Sequence, residues 1–215
     1  MLIEKKDVIV QLNGCRLTVR VVKDIEAIIT DPEDEDKIPL WADIWPAARG
    51  MAKYIWDYVN FNGAETLELG AGVGLAGVAA ALKDARLTVT DYNEQALALT
   101  QENLRLNGVD NAQSFLGDWR NFTLKNRYKW IIGSDVLYDP KLNYYIKDII
   151  KTNLEPGGQL LFSHPGRKPT YDFINYLVSE GFIEKRVEIP VQIDDPFFPY
   201  YNILVHHLEQ REGGV

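Results

Sequence analysis

The stretch ELGAGVGLAG, Glu68 to Gly77, sets an acid in front of four glycines within ten residues. Glycine in an ordered element costs roughly 0.5–1 kcal/mol relative to alanine, so such a cluster marks backbone that must come close to something a side chain would obstruct. Two further acids follow, Asp91 in RLTVTDY and Asp118 in LGDW. Either carboxylate could accept hydrogen bonds from the hydroxyl or amino groups of a ligand lying along the glycines. Tyr92 and Trp119 stand beside them as aromatic faces able to flank a flat ring. A second group, SDVLYDP, places Asp135 and Tyr138 three residues apart, a carboxylate and a phenol that could hold one amine from two sides.

Elements must bring these residues together. TLEL before the glycines reads as a strand and LAGVAAALK after them as a helix. RLTVTD carries Asp91 to the end of a second strand, and the helix through EQALALTQENLRLN stops at Gly108. AQSFLGD and YKWIIGSD are strands that deliver Asp118 and Asp135, the former followed by a loop. Asp139-Pro140 is a start signal for the helix in KLNYYIKDIIKTNL. GQLLFS, PTYDFINYLVSEG, FIEKRVEIP and YYNILVHHLE continue as strand, helix and two late strands. This alternation predicts an α/β fold, a Rossmann-like doubly wound sheet with helices on both faces. Ligands of such sheets sit beyond the carboxyl ends of the strands, where Glu68 to Gly74, Asp91, Asp118 and Ser134 to Tyr138 all fall.

The first forty residues read differently. DVIVQLNGCRLTVRVV predicts two strands joined at Asn13-Gly14, a pair suited to a type I′ hairpin turn. TDPEDEDKIP, with five acids and two prolines in ten residues, reads as a solvated loop. Residues 1–40 are therefore expected to be an extension and 41–215 the main domain. PAARGMAKYIWDYV opens that domain as a helix with Pro46 in its first turn and Ala48, Met51, Ile55 and Tyr58 on one stripe.

Three explanations compete for the glycines. They could serve only a sharp turn and close helix packing, which leaves Asp91 and Asp118 without a role. They could bind a nicotinamide dinucleotide, since Gly72 to Gly77 fits G-x-G-x-x-G and Asp91 lies about twenty residues on. The third includes Glu68: acid-x-Gly-x-Gly-x-Gly, here Glu68, Gly70, Gly72 and Gly74, resembles the pattern of class I methyltransferases that bind S-adenosylmethionine. From Ile38 to Tyr138 the chain is similar to the seven-β-strand methyltransferases of family 16, mostly protein-lysine N-methyltransferases. LWADIWPAARGMAKYI, ELGAGVGLAGVAAA, TVTDYNEQAL, GDW and SDVLYDP carry the resemblance. WADIWPAA and the later SHPGR lie nearest the branch that contains the electron-transfer-flavoprotein β-subunit lysine methyltransferase.

The resemblance implies a mostly parallel seven-stranded sheet with an antiparallel last strand. It implies S-adenosylmethionine as cofactor and S-adenosylhomocysteine as product, held by Trp45, Glu68, Gly70, Gly72, Gly74, Asp91, Tyr92, Asp118, Trp119 and Ser134. Asp91 would take the ribose hydroxyls, Asp118 the adenine amino group, and Trp45 would lie over the cofactor, where an aromatic face attracts the sulfonium by roughly 0.5–2 kcal/mol. Trp41 would line the acceptor channel. Asp135-Val136-Leu137-Tyr138 matches the family's Asp-x-x-Tyr, so Asp135 and Tyr138 are the expected catalytic pair. A carboxylate would raise a lysine pKa already near 10.4, so the role expected of Asp135 is to capture and orient the amine rather than to deprotonate it electrostatically. Nucleic-acid amino methyltransferases carry a Pro-Pro-aromatic turn where Val136 and Leu137 stand here. The alternative acceptor is a small amine of nicotinamide type.

Composition narrows the rest. A net charge of −8 weighs against broad affinity for nucleic acid or anionic membrane. Cys15 is the only cysteine, which fits a reducing compartment, and the N-terminus has no leader-like apolar core, so a cytoplasmic monomer acting on a lysine-bearing protein is expected. No metal-ligand spacing is present and no catalytic histidine is assigned. SHPGR is a candidate wall of the acceptor site, at least one of His206 and His207 is expected to face solvent, and DDPFFPYYN is either a docking hairpin or an edge-covering loop.

Overall fold

The sheet order, not the chain order, explains where a ligand can sit. The computed structural model describes residues 3–31, 33 and 38–211. Its elements are β1 (Lys5–Leu12), β2 (Cys15–Val22), α1 (Pro46–Tyr58), β3 (Glu65–Leu69), α2 (Leu75–Leu82), β4 (Arg86–Asp91), α3 (Glu94–Leu106) and β5 (Gln113–Leu116). There follow β6 (Tyr128–Ser134), α4 (Pro140–Asn153), β7 (Leu154–His164), α5 (Lys168–Ser179), β8 (Phe182–Gln192) and β9 (Tyr200–Gln210). Seven strands form one sheet in the order β5-β4-β3-β6-β7-β9-β8, in which β9 alone runs against its neighbours. The chain winds outward from β3 to β5, then restarts beside β3 with β6. That reversal opens a crevice at the carboxyl ends of β3, β4 and β6.

Alternation along β3 decides its two faces. Leu67 and Leu69 point into a hydrophobic layer shared with Ile146 and Ile150 of α4 and Ile174 and Leu177 of α5. Glu68 points to the other face, where α1, α2 and α3 contribute Met51, Ile55, Val78, Leu99 and Leu104. The stretch between β5 and β6 holds only a 3₁₀ turn, Trp119–Asn121, as its loop-like sequence predicts.

The β1–β2 hairpin packs Leu17, Val19 and Val21 into the same layer as α1 to α3. Its open edge is closed by one side chain of α3 and one at the helix's C-cap. Asn103 Oδ1 accepts the Arg20 amide at 2.6 Å while its Nδ2 donates to the Arg20 carbonyl at 2.9 Å. Asn107 does the same for Thr18, at 3.0 and 2.8 Å. Carboxamides thereby substitute for a missing neighbouring strand.

Two local expectations are corrected. At the hairpin turn only Gly14 is left-handed (φ 71) and Asn13 is not, so the turn is not type I′, which needs both. On α1 the buried stripe runs through Ala47, Met51, Tyr54 and Ile55, and Tyr58 is exposed, its ring resting on Tyr54 at 5.3 Å. Most of the acidic loop, residues 32 and 34–37, lies outside the described residues.

Candidate active site

The crevice at the strand reversal is a cleft of about 480 Å³. Trp41, Trp45, Glu68, Gly70, Gly72, Asp91, Tyr92, Asp118, Trp119, Ser134, Asp135 and Tyr138 all reach its wall, so nearly every residue singled out in the sequence meets there. Gly74 does not line it.

The glycine loop is held from behind. Gly72 donates its amide to Asp91 Oδ2 at 3.0 Å, and its carbonyl accepts Thr100 Oγ1 of α3 at 2.7 Å. The next carbonyl, Val73, accepts Asn103 Nδ2 at 2.7 Å. Gly70 is left-handed (φ 60), and a Cβ there would press on Val136 at 3.0 Å and Trp119 at 3.2 Å. Gly74 (φ 79) caps α2 and faces Thr100, whose Cγ2 a Cβ would meet at 2.6 Å. It shapes the turn rather than the cleft surface.

Glu68 is the most buried acid in the cleft wall. Its Oε1 accepts the Gly77 amide at 3.1 Å, while Oε2 is buried without a hydrogen-bond partner. Burial pushes its pKa up to about 8, against the pull of the Gly77 amide. Burial likewise raises the Asp91 pKa, and backbone amides oppose the shift, among them those of Asn93 (3.0 Å, on Oδ1) and Gly72. Asp118 faces outward: Arg120 grips both its oxygens, with Nε at 3.0 Å from each and Nη2 at 2.8 Å from Oδ2, and holds its pKa down. Trp41 sits in a 3₁₀ turn (Leu40–Ala42) and Trp45 at the N-cap of α1, so the two belong to different elements yet share the cleft.

The acceptor end is built on strain and an ion pair. Asp135 is non-glycine backbone in the left-handed region (φ 56), and its amide donates to the Ser163 carbonyl at 2.7 Å. Such a conformation persists only where its surroundings enforce it, and it turns the carboxylate into the cleft. There Arg167 meets it as a fork, Nε to Oδ1 at 2.6 Å and Nη2 to Oδ2 at 2.8 Å. The carboxylate expected to capture the amine is thus already paired. Asp139 caps α4 by accepting the Lys141 amide at 2.8 Å, with Pro140 in the first turn, as the sequence predicts. Arg167 is the residue that sequence reasoning left without a role; SHPGR was its only signal.

The histidines correct another expectation. His206 is buried, and His207 is half-buried with its ring bonded to Tyr54 Oη (3.1 Å) and Gln159 Oε1 (2.5 Å), so neither faces solvent freely.

These residues fit a nucleoside cofactor that carries an amine. Bare backbone at Gly70 and Gly72, a buried acid at the end of β4 and the Glu68 carboxyl in the wall supply close approach, hydroxyl acceptors and a group that an ammonium can ionise in one crevice.

The sequence model of a family described as lysine methyltransferase matches residues 21–179. Protein N-lysine methyltransferase METTL21A of Xenopus tropicalis is 25% identical over 178 residues, 74% of this chain and 79% of that protein. A histidine protein methyltransferase 1 homolog of Dictyostelium discoideum is 31% identical over 54% of this chain, and an electron transfer flavoprotein beta subunit lysine methyltransferase homolog of Caenorhabditis elegans 32% over 47%. The chain spans only 40% and 48% of those two proteins. Among solved structures, N-methyltransferase NodS of Bradyrhizobium japonicum in complex with S-adenosyl-L-homocysteine superimposes with a TM-score of 0.62, at 21% identity, over 87% of this chain and 97% of that one. This likeness is one of fold.

Proposed function

The chain belongs to the lysine methyltransferase family, and from that premise we propose that it transfers a methyl group from S-adenosylmethionine to the side-chain amine of a lysine in a protein. The observation that carries the proposal is the meeting of glycine loop, Asp91, Glu68 and the Asp135–Arg167 pair in one cleft. When bound, S-adenosylmethionine supplies an electrophilic methyl group on a cationic sulfur. Asp91 would hold its ribose, Glu68 its amine, and Tyr92, Trp119 and Trp45 its flat and cationic parts. Ser134 and Asp118 line the same wall.

Methyl transfer is an in-line displacement, so the acceptor nitrogen must be neutral and aimed. A lone carboxylate would favour the ammonium form. Arg167, forked onto Asp135, cancels that charge and leaves oxygen lone pairs that can still orient an amine N–H. Tyr138 at the cleft wall aligns the aliphatic stem.

A protein acceptor is supported by what lies beside the cleft. The loop between β8 and β9 emerges at the carboxyl end of β7, because Leu204 pairs with His164. On it Phe197 is 82% and Phe198 70% exposed. Adjacent exposed rings of this kind suit a protein surface better than a small amine. Among the described residues no helix is long and apolar enough to cross a membrane. A cytoplasmic monomer is the setting we propose.

Purified protein given S-adenosylmethionine with a labelled methyl group should label one or a few proteins in an extract. Label confined to low-mass acceptors would favour the small-amine enzyme. Cofactor binding with no transfer to any acceptor would make the chain a binding protein.

A further inference from the structure

Behind the acceptor end of the cleft runs a line of polar groups, two buried imidazoles and a half-buried carboxylate, with no role in binding cofactor or amine. His164 closes β7 and is 0% exposed; His206 on β9 is 1% exposed. Their rings stack at 5.0 Å with Nε2 facing Nε2 at 2.9 Å. His206 Nδ1 lies 2.6 Å from Glu184 Oε1 on β8. At the other end, His164 Nδ1 accepts the amides of Gly166 at 3.2 Å and Arg167 at 2.7 Å.

The proton positions follow from this chain of contacts. His164 Nδ1 faces two N–H donors, so it carries no hydrogen, and in the neutral ring Nε2 must. That N–H donates to His206 Nε2, which is therefore bare, and His206 Nδ1–H donates to the Glu184 carboxylate. Every site is satisfied with both rings neutral. Protonating His164 would aim an N–H at two others, and protonating His206 would set two Nε2–H groups against each other.

The surroundings oppose protonation as well. Burial above all, with the Arg167 and Arg186 charges and any charge on His206 adding to it, takes the His164 pKa down to about 4, and the Tyr171 ring of α5 meets the imidazole edge-on at 4.8 Å. Burial and Arg186 lower His206 too, with Glu184 pulling the other way.

Two buried imidazoles are a costly way to fill space that apolar side chains could fill. Their one consequence at the site is the turn from His164 to Arg167, whose last residue sends its guanidinium to Asp135. We propose that Glu184, His206 and His164 form a proton-ordered positioning chain for the acceptor site, fixing the backbone from which Arg167 reaches Asp135. The three are positioning residues; none touches a reacting atom. The inference rests on the proposed methyl transfer, but its first test does not.

Asparagine can replace His164 Nδ1 as an acceptor of the two amides; glutamine cannot, since its carboxamide sits where Nε2 was. Nuclear magnetic resonance of the wild-type protein should show His164 as the Nε2–H and His206 as the Nδ1–H tautomer at pH 7, and the Arg167 Nε–H signal in the shifted position of a paired guanidinium. H164N should keep that signal and H164Q lose it, with both variants folded by melting. Opposite tautomers, or an Arg167 signal indifferent to H164Q, would overturn the proposal whether or not the protein methylates anything. With an acceptor in hand, H164Q should lower kcat by at least about tenfold with cofactor affinity unchanged, and H164N by less than about threefold. Equal kcat losses in the two would reduce the chain to packing and overturn it.

Discussion

Arg167 meets Asp135 with two nearly parallel bonds of 2.6 and 2.8 Å, from a residue 32 positions further along the chain. The pair spares the cleft an uncompensated anion.

Removing the guanidinium should therefore change the acceptor's protonation. In R167M the Asp135 charge would raise the pKa of a bound lysine, so less of it is neutral at any given pH. At an effective dielectric near 20 and several ångströms, the effect is about one to two pKa units. The acid limb of the kcat profile should move up by that amount, with a ~10–100-fold slower rate at pH 7 and unchanged cofactor affinity. An unmoved limb would show that the pair does not govern the amine. D135A should abolish transfer and retain cofactor binding.

Asp91 already accepts the Gly72 and Asn93 amides, each at 3.0 Å, beside the ribose it is proposed to hold. D91A should weaken S-adenosylhomocysteine binding by about ten- to hundredfold, the scale of one or two charge-assisted hydrogen bonds. D91N, which keeps an acceptor, should lose less. Calorimetric titration decides this, and equal affinity in D91A would remove the ribose role.

Glu68 should make cofactor binding proton-coupled. Its folded pKa, about 8, lies above the ordinary 4.5. The stability it lends the ligand-free fold is thus present below pH 4.5 and is lost as pH rises through 8. A ligand ammonium beside it favours the ionised carboxylate, so binding at pH 7 should release a proton. Heats measured in buffers of different ionisation enthalpy will show that release in the wild type and its absence in E68Q.

Gly77 is fixed by Glu68 rather than by its own backbone angle. A Cβ there would collide with Glu68 Oε2 and stand 3.1 Å from Leu87 Cδ2. G77A should cost about 1–3 kcal/mol by overpacking and weaken cofactor binding at the same time. G14A is the control: left-handed (φ 71) but with nothing within 4 Å, it should cost about 1 kcal/mol and leave binding alone. Thermal melts and titrations of the two variants separate the effects.

The elements and strand ends were legible because their signals are local. Asp139-Pro140 starts a helix wherever it lies, and the short apolar-leaning runs TLEL, RLTVTD and YKWIIGSD, set between helical stretches, need no partner to be read. What stayed hidden depends on strand pairing. Arg167 reaches Asp135 because β6 and β7 lie side by side with Ser134 opposite Ser163, and His206 meets His164 because β9 turns back along β7. Tyr58 continued a helical stripe but ran past the end of the layer it was to cover. Asn13-Gly14 promised a turn type that also demands a left-handed asparagine, and glycine alone took that conformation.

Asn103 touches both the hairpin edge and the Val73 carbonyl. One carboxamide thus fastens the chain's opening strands to the loop that would cradle the cofactor, and a shortened protein beginning after β2 would leave that amide half idle and the rear of the cradle unbraced. Ligand affinity is then a sensitive gauge of whether the first two strands are in place.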